Sequence, residues 1–85
     1  MGLVNQVVPL DQLMTIAEAW VEKILACSPL AIRASKEAAR KGLAMSLEQA
    51  ARTRFPEQAA LYQSEDFIEG PKAFAEKRKP QWKGK

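Results

Sequence analysis

A mainly α-helical chain with one short strand at its beginning is what this sequence predicts, and three observations carry the expectation. Apolar residues from Leu10 onward recur at three- and four-residue intervals, the period of one helix face. Ser28, Ser46 and Ser64 each stand just ahead of such a run, where a hydroxyl can accept from the free amides of a first helical turn. Only residues 2–8 cluster β-formers, with Leu3, Val4, Val7 and Val8 around Asn5 and Gln6 before Pro9 stops the run. A lone strand has no ladder for its backbone donors and acceptors, so residues 1–9 read as one strand of a sheet that residues 10–85 do not supply.

Taken in order, the first helix covers about 10–27, with Leu10, Leu13, Ala17, Trp20, Val21 and Ile24 on its apolar face and Asp11 near its positive end. Ser28 followed by Pro29 starts a second helix, about 29–41, because proline at the first helical position loses no hydrogen bond. Gly42 is its expected left-handed stop, and Ala31, Ala34, Ala38 and Ala39 give it a narrow face for close approach. Ser46 with Gln49 makes a capping box for a third helix, about 47–63, which Pro56 should kink or break near residues 55–56. Ser64, ahead of Glu65 and Asp66, caps a fourth, about 65–78, where Gly70-Pro71 should divide a short turn from a last helical piece. Beyond Pro80 the tail is extended.

At 85 residues the chain is one domain at most, and folding at this size buries roughly 60–65% of the surface the unfolded chain exposes. A large active-site cavity of its own is therefore not expected. An apolar content of 47% with 27% charged residues fits a folded chain. Cys27 is the only cysteine, so no intramolecular disulfide forms, and it reads as a small buried or half-buried side chain. No opening segment resembles a signal and no apolar run is long enough to span a membrane, so a cytoplasmic protein without membrane partners is expected. The net charge of +3 is unevenly placed: Lys72, Lys77, Arg78, Lys79, Lys83 and Lys85 crowd the end, which should attract anions.

With no histidine and one isolated cysteine, nucleophile–base triads and zinc sites cannot be assembled. Glu18 and Glu22, and Glu65 and Glu69, lie one helical turn apart, but such pairs ordinarily sit on solvated faces. No catalytic residue and no metal ligand is assigned. Trp82 among lysines permits a second reading, a self-contained helical interaction or nucleic-acid-binding module with a basic tail, although one tryptophan is a meagre stacking platform.

Ser64-Glu65-Asp66, Glu69-Gly70, Ala73-Phe74-Ala75-Glu76-Lys77-Arg78, Pro80 and Trp82 follow one another in an order that resembles the C-terminus of the crotonase superfamily, the enoyl-CoA hydratases and isomerases. Gly2-Leu3-Val4-Asn5-Gln6-Val7-Val8 is similar to a strand of that family, and Ser28-Pro29-Leu30-Ala31 with Lys36-Glu37 to its next landmark. The resemblance covers essentially the whole chain and only the C-terminal third of a family member. The Glu-Gly-Pro and Lys-Pro-x-Trp details lean toward the carnitinyl-CoA dehydratase type.

The resemblance implies the C-terminal region of a crotonase fold, carrying one strand of the family's spiral core. It implies action on acyl-CoA thioesters, with coenzyme A as part of the substrate and no separate cofactor, in a homo-oligomer that is a trimer or hexamer in the intact family. Lys77 matches the family lysine that reaches toward the phosphates of coenzyme A. Tyr62 and Gln58 fall where family members often place an aromatic near the acyl tunnel or the adenine; Tyr62 fits that pattern and Gln58 departs from it. The oxyanion-hole loop and the acid/base glutamates have no matching positions here, so the 85-residue chain alone is expected to be inactive.

Overall fold

The computed structural model describes residues 2–85 and contains five α-helices preceded by a short 3-10 turn. The turn spans Leu10–Gln12 and runs into α1, Leu13–Leu25. It is followed by α2 (Pro29–Gly42), α3 (Leu47–Arg52), α4 (Pro56–Tyr62) and α5 (Glu65–Ala75).

Three helix starts follow from local chemistry. The Ser28 hydroxyl accepts from Ala31 N–H at 3.5 Å, with Pro29 in the first helical position. Ser46 and Gln49 exchange both bonds of a capping box, at 3.1 Å each. Ser64 accepts from Phe67 N–H at 3.2 Å. Each satisfies amides that have no partner inside the helix.

Four expectations are corrected. Residues 2–8 form no strand, since no strand exists among the described residues to supply a ladder; Leu3 and Val7 remain 82% and 85% exposed. Met1 lies outside the described residues. The break expected near residues 55–56 is present and divides 47–63 into two helices, because Thr53 and Phe55 are extended (ψ 130° and 144°) and Pro56 begins α4 anew. Gly42 is not left-handed; it ends α2 in helical geometry, and a Cβ there would meet the Ala50 methyl at 3.8 Å, an ordinary van der Waals contact. Gly70-Pro71 does not divide α5, which runs through both and stops at Ala75 rather than 78. An ion pair between Glu69 and Arg78 spans that dipeptide, tying the chain before it to the chain after it. Cys27 is exposed rather than buried.

The helices make a thin layer of 43 × 39 × 19 Å with a radius of gyration of 16.2 Å, whereas a compact chain of this length would have about 12 Å. The interior is accordingly small. Among the described apolar residues only Ala34, Phe55 and Ala73 are buried, and equally many described polar ones, Ser28, Ser64 and Asp66, join them. The principal helix pair is α2 on α4, with Ala34 buried and Ala31 and Ala38 half-buried on the alanine face of α2. Glu37 joins the two, accepting from Glu57 N–H at 2.8 Å. No buried side-chain nitrogen or oxygen among the described residues lacks a hydrogen-bond partner.

Candidate functional site

The C-terminal segment is built around three carboxylates of α5. Asp66, 2% exposed, accepts from the Ser28 hydroxyl at 2.9 Å, from Lys83 N–H at 2.7 Å and from Gly84 N–H at 3.2 Å. Burial alone would push its carboxyl upward, but these donors outweigh burial and hold it below the usual aspartate value. The main-chain oxygen of Lys85 in turn accepts from the first amide of α5, Glu65 N–H, at 2.8 Å. Glu65 itself pairs with Lys83 at 2.7 Å. Glu69 takes the Arg78 guanidinium with both oxygens, at 2.5 and 3.0 Å, and accepts from Gln81 N–H at 2.7 Å; the Arg78 bonds above all, then Gln81, hold its carboxyl down at about 2.

Trp82 completes the return of the tail. Its indole N–H donates to the Ala26 carbonyl at 2.9 Å, and its ring lies against Gly70, where a Cβ would come within 3.4 Å of the ring. The tail thus reaches from the end of α5 back across its glycine to the α1–α2 junction. Lys83 and Arg78 are engaged in ion pairs; Lys72, Lys77, Lys79 and Lys85 form none among the described residues.

Lys77 stands where the chain leaves α5, with φ at +53°, and is the only non-glycine among the described residues with positive φ. Arg78 N–H bonds to Ala73 O at 3.0 Å and Lys77 N–H to Phe74 O at 3.1 Å, the paired bonds of a Schellman motif. The left-handed position of that motif usually belongs to glycine, because a Cβ there is strained. Lysine in its place is the kind of local outlier that gathers at functional positions. Sequence periodicity put Lys77 inside the last helical turn; no local signal marks a lysine for the left-handed position.

Gln58 and Tyr62 meet at the other end of α5. Gln58 Nε2 donates to the Tyr62 hydroxyl at 3.1 Å, and the Tyr62 ring meets Phe67 edge-on with centroids 5.2 Å apart. Phe67 lines an apolar cleft of about 380 Å³ together with Cys27, Ala31, Leu61, Gly70 and Trp82. Ten residues separate Phe67 from Lys77, about 15 Å along the helix. The structure therefore brings Gln58 and Tyr62 together and places Lys77 well away from both. The roles of Ser28, Asp66 and Trp82 in holding the tail depend on contacts between residues 38, 17 and 56 positions apart, beyond the reach of any sequence window.

Among the described residues no group of three His, Cys, Asp or Glu side chains is placed to hold a metal ion, and no helix is long and apolar enough to cross a membrane.

The enoyl-CoA hydratase/isomerase family model matches residues 1–85. Carnitinyl-CoA dehydratase of Escherichia coli strain K12 is 42% identical over 91 residues, covering 99% of this chain and 34% of the relative. Among solved structures, a putative short chain enoyl-CoA hydratase from Novosphingobium aromaticivorans is 46% identical with a TM-score of 0.91, and an enoyl-CoA hydratase/isomerase from Mycobacterium paratuberculosis 33% identical with a TM-score of 0.92. In both cases the match covers 99% of this chain and 33% of the other. The chain spans about a third of the length of the relatives it matches.

Proposed function

This chain belongs to the enoyl-CoA hydratase/isomerase family, and from that premise we propose that it is the C-terminal helical part of an enzyme acting on acyl-CoA thioesters, where it contributes a phosphate contact and subunit packing. The observation that carries the reading is Lys77: a lysine within the motif Glu76-Lys77-Arg78, held in a left-handed turn, whose ammonium has no ion-pair partner among the described residues while the neighbouring Arg78 is taken by two carboxylates. A flexible ammonium suits a multiply charged phosphate as a point charge. The separation between Lys77 and the Tyr62–Phe67 pair leaves room for an extended ligand, with phosphate at one end of α5 and an apolar portion beside the cleft at the other.

The Glu-Gly-Pro and Lys-Pro-x-Trp details lean toward a carnitinyl-CoA-type enzyme, while the acyl group is set by the part of the family fold that holds the pocket. Chemistry belongs elsewhere in this reading. Stabilising an enolate-like oxyanion needs preorganised donors, and the chain has no positions matching the family's oxyanion loop or its acid/base glutamates. The 85-residue chain should therefore turn over no crotonyl-CoA; turnover that survives repurification and scales with protein would refute this. The nucleic-acid reading loses support, because Trp82 is docked on Gly70 with its N–H engaged, and Arg78 and Lys83 are already paired.

The phosphate contact is tested by splicing this chain into the Novosphingobium hydratase in place of the matching third. Lys77→Ala should raise KM several-fold, about 1 kcal/mol, leave kcat nearly unchanged, and matter less as salt rises. Lys79→Ala is the control. If the two variants behave alike, or kcat falls with KM unchanged, the phosphate role is wrong.

A further inference from the structure

We infer that Glu69 is a positioning residue for Lys77: its carboxylate locks the turn by which the chain leaves α5, and so holds the Lys77 ammonium toward an incoming phosphate. The consequence for binding rests on the coenzyme A reading above; the geometry stands without it.

The two Schellman bonds at Ala73 and Phe74 are local and suit glycine better than lysine. Something further must over-determine the turn for lysine to remain there. Glu69 does so from eight positions upstream of Lys77. Its two oxygens meet the Arg78 fork at 2.5 and 3.0 Å, which fixes the residue immediately after Lys77 in direction as well as distance. The same Oε1 accepts from Gln81 N–H at 2.7 Å, closing the reversal four residues beyond Lys77. Glu76, the residue before Lys77, pairs with Arg78 Nε at 2.5 Å. Both neighbours of Lys77 are thereby bound to each other, and Arg78 is consumed by two carboxylates while Lys77 is consumed by neither. Glu69 is itself half-buried, so water shields these bonds less than those of a fully solvated pair.

Two measurements test this. In the 85-residue chain, Glu69→Gln should speed amide exchange at Lys77 and Arg78 about tenfold and leave Ala34 in α2 unchanged. Arg78→Gln should do the same from the other side of the pair. In the spliced enzyme, Glu69→Gln should raise KM for the acyl-CoA several-fold at constant kcat, and Glu69→Gln with Lys77→Ala should be no worse than the more harmful single change. Unchanged exchange at Lys77 and Arg78, or KM effects that multiply in the double variant, would overturn the positioning role. A KM untouched by Lys77→Ala overturns the coenzyme A reading and the binding half of this inference with it, while the exchange rates still decide the geometric half.

Discussion

The two ends of this chain solve opposite problems. From Gly2 to Leu25 no residue is buried, and Leu3, Val7 and Leu10 are each more than 80% exposed. From Ser64 to Lys85 the chain folds back on itself: Ser64, Asp66 and Ala73 are buried, and the tail is tied to α5 and to the α1–α2 junction by hydrogen bonds. The first end is rich in apolar surface and poor in contacts; the second also exposes Phe74 and Ile68, but its buried polar groups are satisfied by its own tail. The difference teaches that the turn carrying Lys77 is shaped by contacts within this chain, whereas the apolar residues of the first end find no cover among the described residues.

The contrast breaks most sharply at Asp66. Asp66→Ala should destabilise the chain by about 2–3 kcal/mol in urea unfolding, because the Ser28 hydroxyl and the Lys83 and Gly84 amides would lose a buried charged acceptor. A loss below about 0.5 kcal/mol would mean that the tail is held by something else. Trp82→Phe removes only the bond to Ala26 and should cost about 1 kcal/mol, visible as faster exchange at the α1–α2 junction.

Of the two ends, acid should act on the second. Glu69 and Asp66 have folded-state values below their unfolded ones, so their contribution is complete above the ordinary carboxylate range, near pH 4.5, and is lost as pH falls, for Glu69 through about 2. Tail amides at Gln81, Lys83 and Gly84 should therefore lose protection on acidification, and Glu69→Gln should flatten the response at Gln81. A profile that is flat in the wild-type chain would contradict the carboxylate clasp.

What the sequence made legible was local. Ser28, Ser46 with Gln49, and Ser64 act within three residues of themselves, and all three appear as read. The break at Pro56 belongs to the same class. Elsewhere, partners decided. Residues 2–8 have strand chemistry but no ladder; Gly42 has stop chemistry but stays in helical geometry; Gly70-Pro71 has turn chemistry but sits inside a helix bridged by Glu69 and Arg78 and covered by Trp82. Lys77 was singled out by motif, yet its left-handed backbone was invisible, because nothing in its neighbours' identities demands it.

The first end yields the smallest stability effect and a different readout. Leu3→Ser with Val7→Ser and Leu10→Ser should change unfolding free energy by less than about 0.5 kcal/mol, since these side chains are already in water. They should lower self-association and binding of an apolar dye, because exposed apolar surface drives both. A wild-type chain that sediments as a clean monomer and binds no dye would contradict the idea that this face is built for covering.

Lys77→Gly, followed for stability in the 85-residue chain and for kinetics in the spliced enzyme, tests the central claim most directly. Glycine relieves the positive φ and should stabilise the chain by about 0.5–1 kcal/mol, even after its greater freedom when unfolded. The same change removes the ammonium and should raise KM for the acyl-CoA several-fold with kcat intact. A more stable chain with a weaker grip on its substrate is the predicted result; a more stable chain with KM unchanged would show that Lys77 is only a strained helix end.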